Sequence, residues 1–255
     1  MRLAHHHPYL EPHLSDQFIA FAHRGGTDSL PENTLASFRH AVSLGYDYLE
    51  TDVQLTADGV LVAFHDNDLL RTCGHHIRIS DVSWQEVSQM RVDGKEPIPL
   101  LTELLEEFPE TKFNIDAKSD ACVNPLIAVL KETHALPRVC VGSFSHQRIK
   151  NIRNSFGTDV CTGASPREVA VWVMGVPPKE PSCFQVPKRQ GPLTVVNERT
   201  LTKATKNGQP VHVWTIDDVA TMDELISLGV QGIMTDQSLI LREVLRKHNL
   251  WSPQP

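Results

Sequence analysis

FIAFAHRGGTDSLPENTLASFRHAVSLGYDYLETDVQLTADGVLVAFHDND, residues 18–68, decides the fold. A β-rich run over 18–23 ends on His23. A helical pattern follows, with Leu35, Phe38, Ala41 and Val42 on one face, Asn33 as its N-cap and Gly45 as its stop. A second β-rich run, 48–56, carries Glu50 and Asp52. Asp58-Gly59 is a hairpin signal that returns the chain along 60–65 to His65. Residues two apart on a strand share a face, so Glu50 and Asp52 point together, with Gln54 on the same side. Polar groups gathered at the ends of apolar strands mark a site, because burying them is costly unless something binds.

The alternation continues to the C-terminus. Strand-like runs recur at 112–118, 139–144, 159–164, 183–187, 211–216 and 232–235. Helical patterns lie between and after them at 122–134, 145–156, 198–207, 218–228 and 238–248. Another helix starts at Ser165-Pro166-Arg167-Glu168, with a cap, a proline at its first position and a glutamate at its third. A polar stretch between Asp66 and Asp116 interrupts this rhythm. It holds a capping-box start at Ser83-Trp84-Gln85-Glu86 and a helical pattern over 100–108. With the hairpin return set aside, eight strands remain. The chain is therefore expected to form an α/β fold, a TIM (β/α)8 barrel with a short insertion between the strand-two hairpin and strand three. A doubly wound sheet would want a glycine-rich phosphate turn after strand one, and His23-Arg24-Gly25-Gly26-Thr27 is too short and too charged for that. In a barrel, chemistry sits at the C-terminal ends of the strands. His23, Glu50, Asp52, Asp116, Lys118, Phe144, Trp214 and Asp236 all fall at or near such ends.

Composition narrows the possibilities. The 255 residues suit one large domain, with 40% hydrophobic and 22% charged residues as in an ordinary globular protein. A net charge of −7 offers no basic footprint for nucleic acid, although local cations can still hold an anionic substrate. Five dispersed cysteines (Cys73, Cys122, Cys140, Cys161, Cys183) fit reduced thiols better than a disulfide framework. No signal peptide or membrane span is read, so the expected location is the cytoplasm. The expected organisation is an N-terminal arm over 1–17, one domain over 18–248 and a tail over 249–255. The arm's histidines, His5, His6, His7 and His13, are read as part of a terminal arm or a cloning remnant rather than a metal site. Residues 169–176, apolar with Trp172 and Met174, read as a helix packed on the barrel, or else as a lip for an acyl chain.

The chemistry follows from the residue types. Two carboxylates facing one interior repel unless a cation lies between them, and a hard Mg²⁺ or Ca²⁺ with oxygen ligands answers that need. The competing reading pairs Glu50 and Asp52 with Arg24 and Lys118 as a structural ion network. Asp116 and Lys118 share one face of strand three. No HExxH and no cysteine–histidine spacing suggests zinc. His23 and His65 can take and give a proton near pH 7, while Arg24 and Lys118 can hold phosphate oxygens. Together a metal, two cations and an acid/base pair describe phosphodiester hydrolysis. Trp214, followed by Thr215 and Asp217, suits a strand end at a mouth.

These residues resemble the glycerophosphodiester phosphodiesterases from residue 18 to about residue 242. The signature reads His23-Arg24-Gly25, Pro31-Glu32-Asn33-Thr34, Glu50-Thr51-Asp52-Val53 and His65-Asp66. It continues as Ile98-Pro99-Leu100, Asn114-Ile115-Asp116-Ala117-Lys118, Ser143-Phe144, Val213-Trp214-Thr215 and Gly232-Ile233-Met234-Thr235-Asp236. The resemblance implies a TIM barrel, one divalent cation, and cleavage of a small glycerophosphodiester to glycerol 3-phosphate and an alcohol. It implies His23 and His65 as acid and base, Glu50, Asp52 and Asp116 as metal ligands, Arg24 and Lys118 as phosphate contacts and Trp214 as a pocket wall. Asp116 stands where these enzymes usually carry glutamate; the similar sphingomyelinase D-type enzymes carry aspartate there and can expel the alcohol by attack of a substrate hydroxyl, leaving a cyclic phosphate. The alternatives are lysophospholipase D-type cleavage of single-chain lysophospholipids, and a phosphate-binding barrel without turnover.

Overall fold

The computed structural model describes residues 6–251. Eight parallel strands form the barrel: β1 Ile19–Ala22, β2 Tyr48–Leu55, β3 Lys112–Ala117, β4 Val139–Gly142, β5 Cys161–Thr162, β6 Phe184–Pro187, β7 Val211–Trp214 and β8 Gly232–Thr235. Their order round the sheet is β5-β4-β3-β2-β1-β8-β7-β6. A parallel bridge between Gly163 and Cys183 joins the two ends, with Ala164 N–H donating to Cys183 O (3.0 Å) and Ser182 N–H to Thr162 O (2.9 Å). This closure is the TIM barrel that the alternation predicts. Strand β5 is shorter than the expected 159–164, because Asp159 still belongs to a 3-10 turn and Gly163 takes part only as the bridge.

The covering helices are α1 Leu35–Ser43, α2 Leu101–Glu107, α3 Val123–Glu132, α4 His146–Phe156, α5 Pro166–Met174, α6 Glu198–Lys206, α7 Val219–Leu228 and α8 Ser238–Lys247. Among the described residues, no helix is long and apolar enough to cross a membrane. The N-cap of α1 is Thr34, not Asn33: Thr34 Oγ1 accepts from the Ser37 N–H. Asn33 has φ +54° and turns its amide towards β2 instead. Helix α5 buries Trp172 completely, stacked on Phe184 at 4.2 Å, so the 169–176 segment packs on the barrel. Its exposed Met174 lies at the helix C-terminus, the end away from the strands' C-terminal mouth.

Two regions depart from the sequence reading. The stretch after Asp66 is not merely polar. With the hairpin return Leu61–Ala63 it builds its own core from Val62, Phe64, Leu69, Ile79, Val82, Val87, Val92 and Ile98. That core fixes the segment carrying His65 against the barrel. Of the N-terminal arm, His5 lies outside the described residues, but Pro8–Ser15 forms a 3-10 helix that stoppers the barrel's lower end. Tyr9 and Leu10 are fully buried there beside Phe21, Tyr48 and Met234, and Tyr48 Oη donates to Tyr9 O at 2.5 Å. Alternation is the visible signature of a strand or an amphipathic helix, and a short proline-containing plug has neither period.

Candidate active site

The sharp exit from β1 places the first groups. His23 follows the strand directly, and Arg24 and Gly25 both take left-handed φ angles (+52° and +88°). This turn aims the Arg24 N–H at Glu50 Oε2, 3.1 Å away. Glu50 and Asp52 lie on β2, 4% and 2% exposed, and both point into the mouth as their spacing requires. Asp116 sits opposite Asp52 in the β2–β3 register. Lys118, just past the end of β3, holds the two acids apart: its Nζ lies 2.7 Å from Asp52 Oδ1 and 2.7 Å from Asp116 Oδ2. Arg24 Nε lies 3.1 Å from Asp52 Oδ2, which also accepts from Asn33 Nδ2 at 3.1 Å.

The two histidines share one arrangement. His23 Nδ1–H donates to Asp236 Oδ1 at 2.7 Å, and His65 Nδ1–H donates to Asp66 Oδ1 at 2.6 Å. Each carboxylate fixes its ring's tautomer, so Nε2 is the nitrogen left to exchange a proton. His23 Nε2 lies 3.7 Å from Glu50, while His65 acts on Asp52 and Asp116. The His65 side is braced by Arg71, whose Nε donates to Asp66 at 2.6 Å and whose two terminal nitrogens donate to Glu32 at 2.7 Å. Glu32 in turn accepts from Arg24 at 3.0 Å. Gln54 hydrogen-bonds the His65 and Asp66 carbonyl oxygens, both at 3.1 Å, and so holds this loop.

Electrostatics distinguish the three buried acids. Burial, and then the neighbouring Asp52, push the Glu50 carboxyl up to about 7. Burial also raises Asp116, and the Lys118 ammonium only partly offsets it. For Asp52 the balance reverses: burial opposes ionisation, but the Lys118 and Arg24 charges outweigh it and hold the carboxyl low. Against its own burial, His23 is raised by Glu50 and Asp236. Asp116 Oδ1 is buried without a hydrogen-bond partner. Seven carboxylates (Glu32, Glu50, Asp52, Asp66, Asp116, Asp120, Asp236) thus face four fixed cations (Arg24, Arg71, Lys118, Arg148) and two histidines. An anionic substrate approaching this surplus meets repulsion unless a further cation is present. Glu50 and the free Asp116 oxygen are hard donors with capacity to spare, so this residue set fits a hard divalent ion.

A hollow of about 280 Å³ opens between His65, Asp116, Lys118, Phe144 and Arg148. Its apolar side is Phe144, 66% exposed, with the Lys118 ammonium 5.8 Å from its ring centre and Trp214 edge-on at 5.7 Å. A larger hollow, about 570 Å³, lies at the other end of the barrel between His7, Lys131 and His134 and holds none of these groups. The structure thus gathers His23, Arg24, Glu50, Asp52, His65, Asp116 and Lys118 at one mouth, with Trp214 reached through Phe144. Sequence reasoning about single residues missed Asn33, Glu32 and Arg71. The first two lie in the quoted Pro31-Glu32-Asn33-Thr34, but Arg71 carries no local signal because its partners are distant in sequence.

Comparison with known proteins agrees with the geometry. The family model described as Glycerophosphoryl diester phosphodiesterase family matches residues 23–239. A Mycobacterium tuberculosis protein named "Probable glycerophosphodiester phosphodiesterase 2" is 32% identical, covering 91% of this chain and 92% of its own. A human lysophospholipase D is 29% identical, covering 94% and 87%. Among solved structures, an Oleispira antarctica phosphodiesterase in complex with the product sn-glycerol-3-phosphate superposes with a TM-score of 0.77 at 21% identity, covering 91% and 98%. Family match and relatives span the barrel and the mouth alike, and the chain belongs to the glycerophosphoryl diester phosphodiesterase family, as an enzyme that hydrolyses phosphodiesters.

Proposed function

We propose that the enzyme hydrolyses small glycerophosphodiesters to glycerol 3-phosphate and an alcohol, using one divalent cation, Mg²⁺ or Ca²⁺, and His23 and His65 as the acid/base pair. The observation that carries this reading is the pairing of two histidines, each held by a carboxylate at Nδ1, on either side of a carboxylate cluster with too few fixed cations. Glu50, Asp52 and Asp116 would hold the ion, which when bound neutralises the phosphate and polarises its oxygens. Arg24 and Lys118 orient the non-bridging oxygens through charge-assisted hydrogen bonds. One histidine removes the proton from the attacking hydroxyl or water, and the other protonates the leaving alkoxide. Asp236 and Asp66 keep each Nε2 turned towards the reacting oxygens. Trp214 and Phe144 wall the side on which the alcohol leaves. Five free cysteines accord with a reducing compartment such as the cytoplasm.

Incubation with glycerophosphocholine, glycerophosphoethanolamine and glycerophosphoglycerol, read by phosphorus NMR, tests the reaction. Glycerol 3-phosphate is expected in the presence of Mg²⁺ or Ca²⁺, and no product after EDTA. His23→Ala and His65→Ala should each lose roughly 10²-fold or more in kcat with the fold intact. Full activity in either variant rules out its assigned role. The exposed Phe144 beside Trp214 favours a second reading, cleavage of a single-chain lysophospholipid. Lysophosphatidylcholine in the same assay distinguishes it, because a faster reaction there than with the deacylated diesters makes the lipid the substrate.

A further inference from the structure

Three cysteines far apart in sequence meet inside the barrel. Cys140 and Cys161 face each other across the β4–β5 register, and Cys183 stands at the bridge that closes the barrel beside β5. All three are fully buried and reduced, and their Sγ atoms lie within 4.8 Å of one another. The Cys140 and Cys183 sulfurs are 3.9 Å apart. That is far beyond the roughly 2.05 Å of a disulfide. Sulfurs bonded to one thiophilic ion at about 2.3 Å each stand at close to the observed separation.

A second observation points into the same place. The Tyr9 hydroxyl, on the stopper, is buried with no hydrogen-bond partner. The ionisable groups that act on it are Cys140, Tyr48, Cys161 and Cys183. An orphaned phenol is costly in an apolar core, and a thiol is a poor partner for it. His7, the nearest imidazole in the stopper sequence, is already committed: its Nδ1 accepts from the Tyr9 N–H and its Nε2–H donates to Asp159 O. The chamber therefore offers three sulfurs and one phenol oxygen, and no hard carboxylate belongs to this group of ligands.

We propose that Cys140, Cys161 and Cys183 form a structural site for one thiophilic d¹⁰ cation, Zn²⁺ or Cu⁺, with the Tyr9 hydroxyl completing its surroundings. Thiolate ligands select such ions over Mg²⁺ or Ca²⁺, so this site and the mouth do not compete for the same metal. Three thiolates bind the cation and their protons leave to solvent, which makes loading favour higher pH. The ion ties β4, β5 and β6 together at the seam where the barrel closes, and the stopper seals it from water.

The experiment separates this site from the mouth by its resistance to chelation. Full-length enzyme is purified from cultures supplemented with zinc or with copper, dialysed exhaustively against EDTA, and analysed by inductively coupled plasma mass spectrometry. About one equivalent of zinc or copper per chain is expected to survive dialysis in one of the cultures. Cys161→Ala and Cys183→Ala should retain less than about a tenth of that, while Cys73→Ala, outside the cluster, retains it all. Wild-type enzyme that keeps no thiophilic ion from either culture overturns the site, whether or not the alanine variants fold. Retention undiminished in folded Cys161→Ala and Cys183→Ala overturns it equally.

Discussion

Glu50 lies at the centre of the mouth with a carboxyl pushed up to about 7 by burial and by Asp52, so near neutral pH it is about half protonated in the metal-free enzyme. On the proposed ligand set, a cation bound through Glu50, Asp52 and Asp116 must displace that proton. Cation affinity should therefore fall as pH drops through about 7, by up to about tenfold per pH unit, and reach a plateau above it. Titration calorimetry in buffers of different ionisation enthalpy should detect proton release on Mg²⁺ or Ca²⁺ binding at pH 7, and Glu50→Gln should diminish that release. Equal affinity at pH 6 and pH 8 would remove Glu50 from the ligand set. Asp116 differs in kind. Burial raises its affinity for protons, the Lys118 ammonium offsets this only in part, and its Oδ1 has no partner. Among the three buried acids of the mouth, Asp116 is thus the one with an unsatisfied oxygen.

The β1–α1 connection shows how an element builds a site out of strain. Gly25, at φ +88°, is where the chain doubles back so that His23 and the Arg24 N–H both face Glu50. A Cβ there would run into Ser37 Oγ and come within 2.9 Å of Ser37 Cβ, the residue whose hydroxyl donates to Arg24 O. Gly25→Ala should lose roughly 1–3 kcal/mol of stability by urea denaturation. It should also lose activity well beyond that of an equally destabilised core variant such as Ile152→Val, because the turn carries His23 and Arg24. Equal activity loss in the two would mean the turn matters only for folding. Elements of this kind mark the boundary of what sequence could tell. The barrel strands and the carboxylate pair were legible because a period of two, and its apolar content, is a local property. The Asp58-Gly59 hairpin likewise announced the return to His65. Asn33 was legible as a polar residue ahead of a helix, but its choice between capping α1 and supporting Asp52 depends on where β2 lies. Arg71 was not legible at all, since its role exists only once Glu32 and Asp66 have been brought beside it.

At the scale of the molecule, the barrel has a chemical end and a sealed end, and the seal has its own electrostatics. His13 Nδ1–H donates to Gln17 O, so its Nε2 accepts from the His212 Nε2–H at 2.9 Å, and His212 Nδ1 is left bare. Both rings are neutral in the fold. Burial lowers His13 to about 4, and burial and then the neighbouring His13 hold His212 well below its ordinary value. Each histidine binds a proton more readily in the unfolded chain, at about 6.5. Their contribution to stability is thus present above about pH 6.5 and is lost as pH falls towards 4, at about 1.4 kcal/mol per pH unit for each. Removing residues 1–17 takes away His13, opens His212 to water, and exposes the surface that Tyr9 and Leu10 cover. Those two side chains alone contribute about 3–6 kcal/mol by burial, so the truncated chain should melt roughly 10 °C lower at pH 7.5. Titrating groups outside residues 1–17 are common to both chains and cancel, and full-length His13→Gln, which keeps His5, His6, His7, Glu11 and Asp16, separates the histidine pair from the rest of the segment. The stability gap between full-length and truncated enzyme, measured by urea denaturation, should therefore narrow steadily from pH 6.5 to pH 4. A gap that stays constant over that range would show that the stopper holds by apolar contact alone, with the histidine pair contributing nothing.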